Sequence, residues 1–138
     1  MIIRFNYADR KLDYKPKSNL KAMVANIFTT EQKLLKEINY VFCSDDYLLK
    51  INQSALNHDY YTDIITFPLH NKGEAIEAEI FISIDRVKDN AKTNSTTFSN
   101  EIARVIAHGS LHLCGYKDKL KKDILTMRSK ELFYIENL

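Results

Sequence analysis

Hydrophobic positions change period several times along the chain, and each change marks an element. Ile2 to Tyr7 reads as a strand. Leu20, Met23, Val24, Ile27 and Phe28 then follow the i, i+3, i+4, i+7, i+8 spacing of an amphipathic helix, with Ser18 or Asn19 as its cap. Leu35 to Cys43 is a second strand, after which Ser44-Asp45-Asp46 caps a short helix reaching about Ala55 and burying Leu48 and Ile51. Residues 62–69 and 78–84 are predicted strands, joined by a loop around Asn71-Lys72-Gly73. In the second of them Ala78, Ile80, Ile82 and Ile84 alternate with Glu79, Phe81 and Ser83. Helices are predicted over 85–92, 98–114 and 121–136. Four strands among about five helices, not strictly alternating, point to an α+β fold: one four-stranded mixed sheet with helices packed on it, in a single domain over 1–138.

Composition narrows the class. A chain of 138 residues can bury a sizeable core. No run of 18 apolar residues is present, so no membrane span is expected. The start, Met-Ile-Ile-Arg-Phe-Asn-Tyr, lacks the charged opening and long apolar stretch of a signal peptide, so a cytoplasmic location is expected. Cys43 and Cys114 read as buried thiols in a reducing compartment. With three glycines and no Gly-x-x-x-x-Gly-Lys, a nucleotide-binding loop, and with it a nucleotide cofactor, is excluded.

The candidate chemistry lies in His108-Gly-Ser-Leu-His112-Leu-Cys-Gly-Tyr-Lys-Asp118. On a helix, side chains at i and i+4 share a face about 5 to 6 Å apart, near enough for two imidazoles to bind one ion. Gly115 suits the left-handed position that ends a helix and turns the chain back, which would carry Asp118 toward the histidines. Three protein ligands with a fourth place for water is the common catalytic zinc arrangement. One divalent ion, zinc first, is therefore expected on His108, His112 and Asp118, with the ion's water as the catalytic group. Cys114 turns about 200° away from His112 along the helix and is poorly placed as a ligand. Gly109, inside the helix, costs roughly 1 kcal/mol relative to alanine, which implies that something packs there too closely for a side chain. Glu101, Arg104, His108 and His112 form a polar stripe, while Ile102, Ile106 and Leu113 face the other way.

His-Gly-x-Leu-His-Leu-x-Gly-Tyr closely resembles the signature of the YbeY-type endoribonucleases, the bacterial rRNA maturation factors. A second block agrees: Leu56-Asn57 and Thr62-Asp63-Ile64-Ile65-Thr66-Phe67-Pro68 resemble the family's Leu-Asn and Thr-Asp-Val-Leu-Ser-Phe-Pro segments. Glu79-Ile80-Phe81-Ile82-Ser83 is similar to its Gly-Asp-Ile-x-Ile-Ser strand, and Met127 and Glu131 echo a Met-x-x-x-Glu pair in its last helix. The resemblance implies a zincin-like α+β fold and a metal-dependent, single-strand-preferring endoribonuclease of rRNA maturation and ribosome quality control. Two departures stand out. Asp118 occupies the place of the family's third histidine, which leaves the site less positive. The loop between Asn57 and Thr62 is four residues long and lacks the usual arginine; His58 or Arg104 could stand in for it as a catalytic group.

The neighbourhood chooses among substrates for such an ion. Metalloproteases with His-Glu-x-x-His use the glutamate beside the first histidine as general base, but Gly109 occupies that position and Ser110 cannot replace it. Net charge is only +2, yet residues 117 to 130 carry Lys117, Lys119, Lys121, Lys122, Arg128 and Lys130 against Asp118 and Asp123. Lysines at a helix start oppose its dipole, and a basic cluster beside a hydrolytic metal favours a polyanion. RNA is thus the expected substrate, with Lys117, Lys119, Lys121 and Lys122 as candidate phosphate contacts and ribosomal proteins as candidate partners. The alternatives are a non-catalytic assembly factor whose zinc pins the Gly115 turn, and a metallohydrolase of another substrate.

Overall fold

The computed structural model describes every residue, Met1–Leu138, as β1(Ile2–Tyr7), α1(Lys17–Thr30), β2(Leu35–Cys43), α2(Asp45–Leu56), β3(Ile64–Pro68), β4(Ile76–Ser83), α3(Ile84–Thr93), α4(Phe98–Leu113) and α5(Lys121–Glu136). The four strands form one mixed sheet in the order β1-β2-β4-β3, with β1, β2 and β4 parallel and β3 antiparallel to β4. This is the α+β arrangement the chain pattern predicts. No helix is long and apolar enough to cross a membrane.

Alternation in β4 divides the molecule into two layers. Ala78, Ile80 and Ile82 join Ile38, Tyr40 and Phe42 of β2 in the main core, together with Ile102, Val105 and Ile106 of α4 and Leu20, Val24 and Ile27 of α1. Phe81 points to the opposite face, where Leu48 and Ile51 of α2 pack with Ile65 and Phe67 of β3. The period-2 strand and the 3.6-period helices thereby bury complementary faces on either side of one sheet.

Several boundaries differ from the sequence expectation. Helix α1 begins at Lys17 behind Pro16, with no side-chain cap, so Ser18 and Asn19 lie in its first turn rather than at its cap. Proline's fixed φ and missing N–H suit a helix start, and they outweigh the capping preference of the two polar residues. Ile84 is not the last inward residue of a strand but the first of α3, because Ser83 accepts from the Arg86 N–H at 3.0 Å and starts a helix there. The strands predicted over 62–69 and 78–84 are Ile64–Pro68 and Ile76–Ser83.

Gly109 bears out the close approach inferred for it. A Cβ at this position would lie 2.7 Å from Ile64 Cδ1 and 3.3 Å from Ile80 Cδ1. Helix α4 can therefore settle directly on β3 and β4, which brings its two histidines beside the β3 edge. Ser110, the next residue, is fully buried and shares a 2.5 Å hydrogen bond with Tyr40 while donating to the Ile106 carbonyl at 2.7 Å. Cys43 and Cys114 are free and buried, and burial pushes both thiols up to about 12.

Candidate metal centre

Helix α4 ends in a Schellman turn that builds the site. Gly115 takes φ +106°, its N–H donates to the His112 carbonyl at 3.0 Å, and the Tyr116 N–H donates to the Leu111 carbonyl at 3.1 Å. The returning chain does two things. Its Tyr116 carbonyl accepts from His112 Nδ1 at 2.8 Å. Two residues later Asp118 Oδ2 arrives 3.2 Å from His108 Nε2 and 3.3 Å from His112 Nε2.

The hydrogen bonds behind the rings assign their tautomers. A carbonyl only accepts, so His112 carries its proton on Nδ1 and leaves a bare lone pair on Nε2. His108 Nδ1 donates at 2.6 Å to Glu131 Oε2, whose other oxygen accepts from Arg104 Nη1 at 3.3 Å. In the neutral ring the His108 lone pair likewise lies on Nε2. The two Nε2 atoms lie 3.0 Å apart, so with both rings neutral three lone-pair atoms converge. Such a cluster is repulsive unless a cation sits within it. Ligands roughly 2.0–2.2 Å from one tetrahedral ion lie about 3.3 to 3.6 Å from one another, close to the 3.0 to 3.3 Å found here, so this donor set fits a divalent metal. The orienting carboxylate and carbonyl behind the imidazoles are the usual outer partners of histidine ligands.

Arg104 holds that outer layer together. Its guanidinium bonds Glu101 through Nε at 3.0 Å and Nη2 at 2.7 Å, as well as Glu131, and both carboxylates are 2% exposed. Hydrogen bonding to Glu101 raises the Arg104 pKa further above its ordinary value. Its fork is engaged by two carboxylates, one of which, Glu131, is bonded in turn to His108 Nδ1, so Arg104 is placed to orient His108 through Glu131.

A groove of about 700 Å³ runs past His108, His112 and Asp118, walled on the far side by the α2–β3 connection and β3, with His58, Tyr60 and Asp63 along it. Burial pushes the Asp63 carboxyl above its ordinary value against the opposing pull of Arg104. Of the basic candidates only Lys119 lines this groove; Lys117, Lys121 and Lys122 are exposed beyond it. A smaller recess of about 200 Å³ on the other side of Asp118 and His108 is lined by Arg104 and Arg128.

The pattern of the family described as Endoribonuclease YbeY matches residues 4–138. The chain belongs to the YbeY endoribonuclease family. Relatives named Endoribonuclease YbeY include that of Cytophaga hutchinsonii, 47% identical over 129 residues covering 94% of this chain and 90% of the relative. That of Flavobacterium johnsoniae is 44% identical over 140 residues, covering 98% and 99%. The solution structure of TM1509 from Thermotoga maritima matches with a TM-score of 0.70 at 30% identity, covering 97% of this chain and 87% of that one. Asp118, at the one position where the sequence departs from the resembled histidine motif, reaches both Nε2 atoms.

One contributor to this YbeY site had no sequence signal. Glu31, at the end of α1, accepts from Tyr116 Oη at 2.6 Å, from Lys130 Nζ at 3.2 Å and from Tyr134 Oη, tying the metal turn to α1 and α5. Burial alone would raise its pKa, but the two tyrosines and Lys130 together hold the carboxyl below its ordinary value. A carboxyl lowered on folding stabilises fully above its unfolded pKa, and that contribution fades as pH falls through the folded value. Glu31→Gln is expected to cost about 1–2 kcal/mol at neutral pH, with the gap from wild type closing in acid. Urea melts across pH check this; a gap that stays constant into acid would remove the charge from the account.

Proposed function

We propose that this YbeY family member is a metal-dependent endoribonuclease of the cytoplasm, cutting single-stranded ribosomal RNA during rRNA maturation, with one zinc ion on His108, His112 and Asp118. The observation that carries the reading is the convergence of His108 Nε2, His112 Nε2 and Asp118 Oδ2, 3.0 to 3.3 Å apart, beside an open groove. A bound divalent ion supplies a Lewis acid and a more acidic water at neutral pH.

Residues of the chain supply the rest. The two imidazoles and Asp118 would hold the ion, a three-residue set of the kind that leaves a position for a water or phosphate oxygen. Glu131 and the Tyr116 carbonyl fix the ring orientations. Lys119 gives the groove a positive wall for phosphate, with Lys117, Lys121 and Lys122 on the adjoining surface. Asp63 lines the same groove, its carboxyl pushed above its ordinary value by burial, and His58 lies along the same wall as a further proton-transfer candidate. Peptide hydrolysis is disfavoured, since Gly109 stands where a metalloprotease has its glutamate and Ser110 is sealed against Tyr40.

The test is elemental analysis of the purified protein together with cleavage of single-stranded and duplex RNA before and after chelation. The expected result is about one transition-metal ion per chain, cleavage confined to the single strand, and loss on chelation that added zinc restores. If the loaded protein binds ribosomal RNA yet cuts nothing above a His112→Ala control, a non-catalytic assembly factor is the better account.

A further inference from the structure

The α2–β3 connection is short, hydrogen-bonded back to α2 and aromatic at its surface. Asn57 ends α2 in the left-handed conformation, φ 55°. Behind it Asn52, 1% exposed, donates from Nδ2 to the Tyr60 carbonyl at 2.9 Å, while its own carbonyl accepts from the His58 N–H at 3.0 Å. Gln53 Nε2 adds a 2.6 Å bond to Asp59. This clamp presents Tyr60 at the lip of the metal groove with 55% of its surface uncovered. The ring is backed by His58, centroids 5.2 Å apart at 22°, and its hydroxyl meets His58 Nδ1 at 3.0 Å. Tyr61 follows, 50% exposed, with the Arg86 guanidinium 5.2 Å over its ring.

An aromatic ring held open by a buried amide gains nothing for the fold from that exposure. It is, however, what an unpaired base requires: a flat face to stack on, with Lys119 in the same groove for the phosphates. A base within a duplex already stacks on its neighbours and cannot offer itself in this way.

We propose that Tyr60, backed by His58, is a nucleobase platform that takes one unpaired base flanking the phosphate at the metal centre, and that it gives the groove its single-strand preference. The proposal rests on the endoribonuclease reading above. The platform is fixed before RNA arrives, because Asn52 holds both ends of the His58–Tyr60 segment.

The chain has no tryptophan, which makes the test direct. A short unstructured oligoribonucleotide is titrated against the metal-loaded wild type, Tyr60→Ala, Tyr60→Phe and Tyr60→Trp, with melting temperature and metal content measured for each. Tyr60→Ala should weaken single-strand binding roughly 5- to 150-fold, the range of one lost base stack. The loss should appear in KM more than in kcat, and duplex binding should be unchanged. Tyr60→Phe should retain most of the affinity, and Tyr60→Trp should show fluorescence quenching with the oligoribonucleotide but not with one made abasic. Equal losses in the Ala and Phe variants, or equal quenching by the abasic strand, would overturn the platform. So would unchanged binding by Tyr60→Ala while wild type still binds and cleaves. If wild type neither binds nor cleaves RNA, the endoribonuclease reading itself has failed and the platform falls with it.

Discussion

Replacing His108 and His112 together with alanine is expected to leave a folded protein that carries no metal and has lost RNA cleavage by roughly three orders of magnitude. The size follows from the several kcal/mol of transition-state charge stabilisation a Lewis-acid ion provides, at 1.36 kcal/mol per tenfold. The fold should survive because the main core, built from Leu20, Tyr40, Phe42, Ile80, Ile82 and Ile106 among others, has no member that is a ligand. The metal then adds stability by mass action, growing with its free concentration, without being the condition of folding as it is in a zinc finger. Asp118→Asn should fall between, keeping an oxygen donor but losing the anion: weaker metal binding, unchanged helical signal. Circular dichroism, elemental analysis and a single-turnover cleavage assay read the three properties separately. Collapse of the helical signal in the double variant would show the metal to be structural. Unchanged metal content would remove these residues as its ligands.

How far the sequence discloses this site depends on distance along the chain. His108, His112, Gly115 and Asp118 fall within one helix end, where the 3.6-residue period and the left-handed glycine fix their meeting almost alone. Gly109 was legible for a related reason: a glycine is costly in a helix, and the cause proves to be Ile64 at 2.7 Å from where a Cβ would sit. Glu131 was visible only as part of a resembling Met-x-x-x-Glu pair, since its bond to His108 depends on how α5 docks. Nothing local announces Glu31 or Asn52, whose partners come from helix ends and loops brought together by packing. The strand order was likewise hidden, because alternation reports which face of a strand is buried and not which neighbour it joins. Arg104 shows the limit most sharply: its place in the polar stripe suggests a stand-in for the missing loop arginine, and only the fold reveals carboxylates on both sides of it.

That double pairing makes Arg104→Met the substitution with the largest expected cost to stability. Glu101 and Glu131 are each 2% exposed and Arg104 is 22% exposed, so the guanidinium is the cation that both carboxylates share. Removing one partner of a buried ion pair leaves charge in a place that water does not reach, at about 3–5 kcal/mol, out of a total of roughly 5–15 kcal/mol for a domain. Arg104→Lys should cost less but not little, because a single ammonium cannot reproduce the two-pronged contact to Glu101 while still reaching Glu131. Metal affinity should fall in the same order, by about 10- to 100-fold in the methionine variant, as Glu131 loses the partner that holds it against His108. Denaturant melts of the metal-free proteins isolate the stability effect, and competition with a metal-sensitive dye isolates the affinity. A methionine variant within about 1 kcal/mol of wild type would mean that water, not Arg104, neutralises the pair. A large stability loss with metal affinity intact would instead detach Glu131 from the orientation of His108, leaving Arg104 as a tie between α4 and α5 and nothing more.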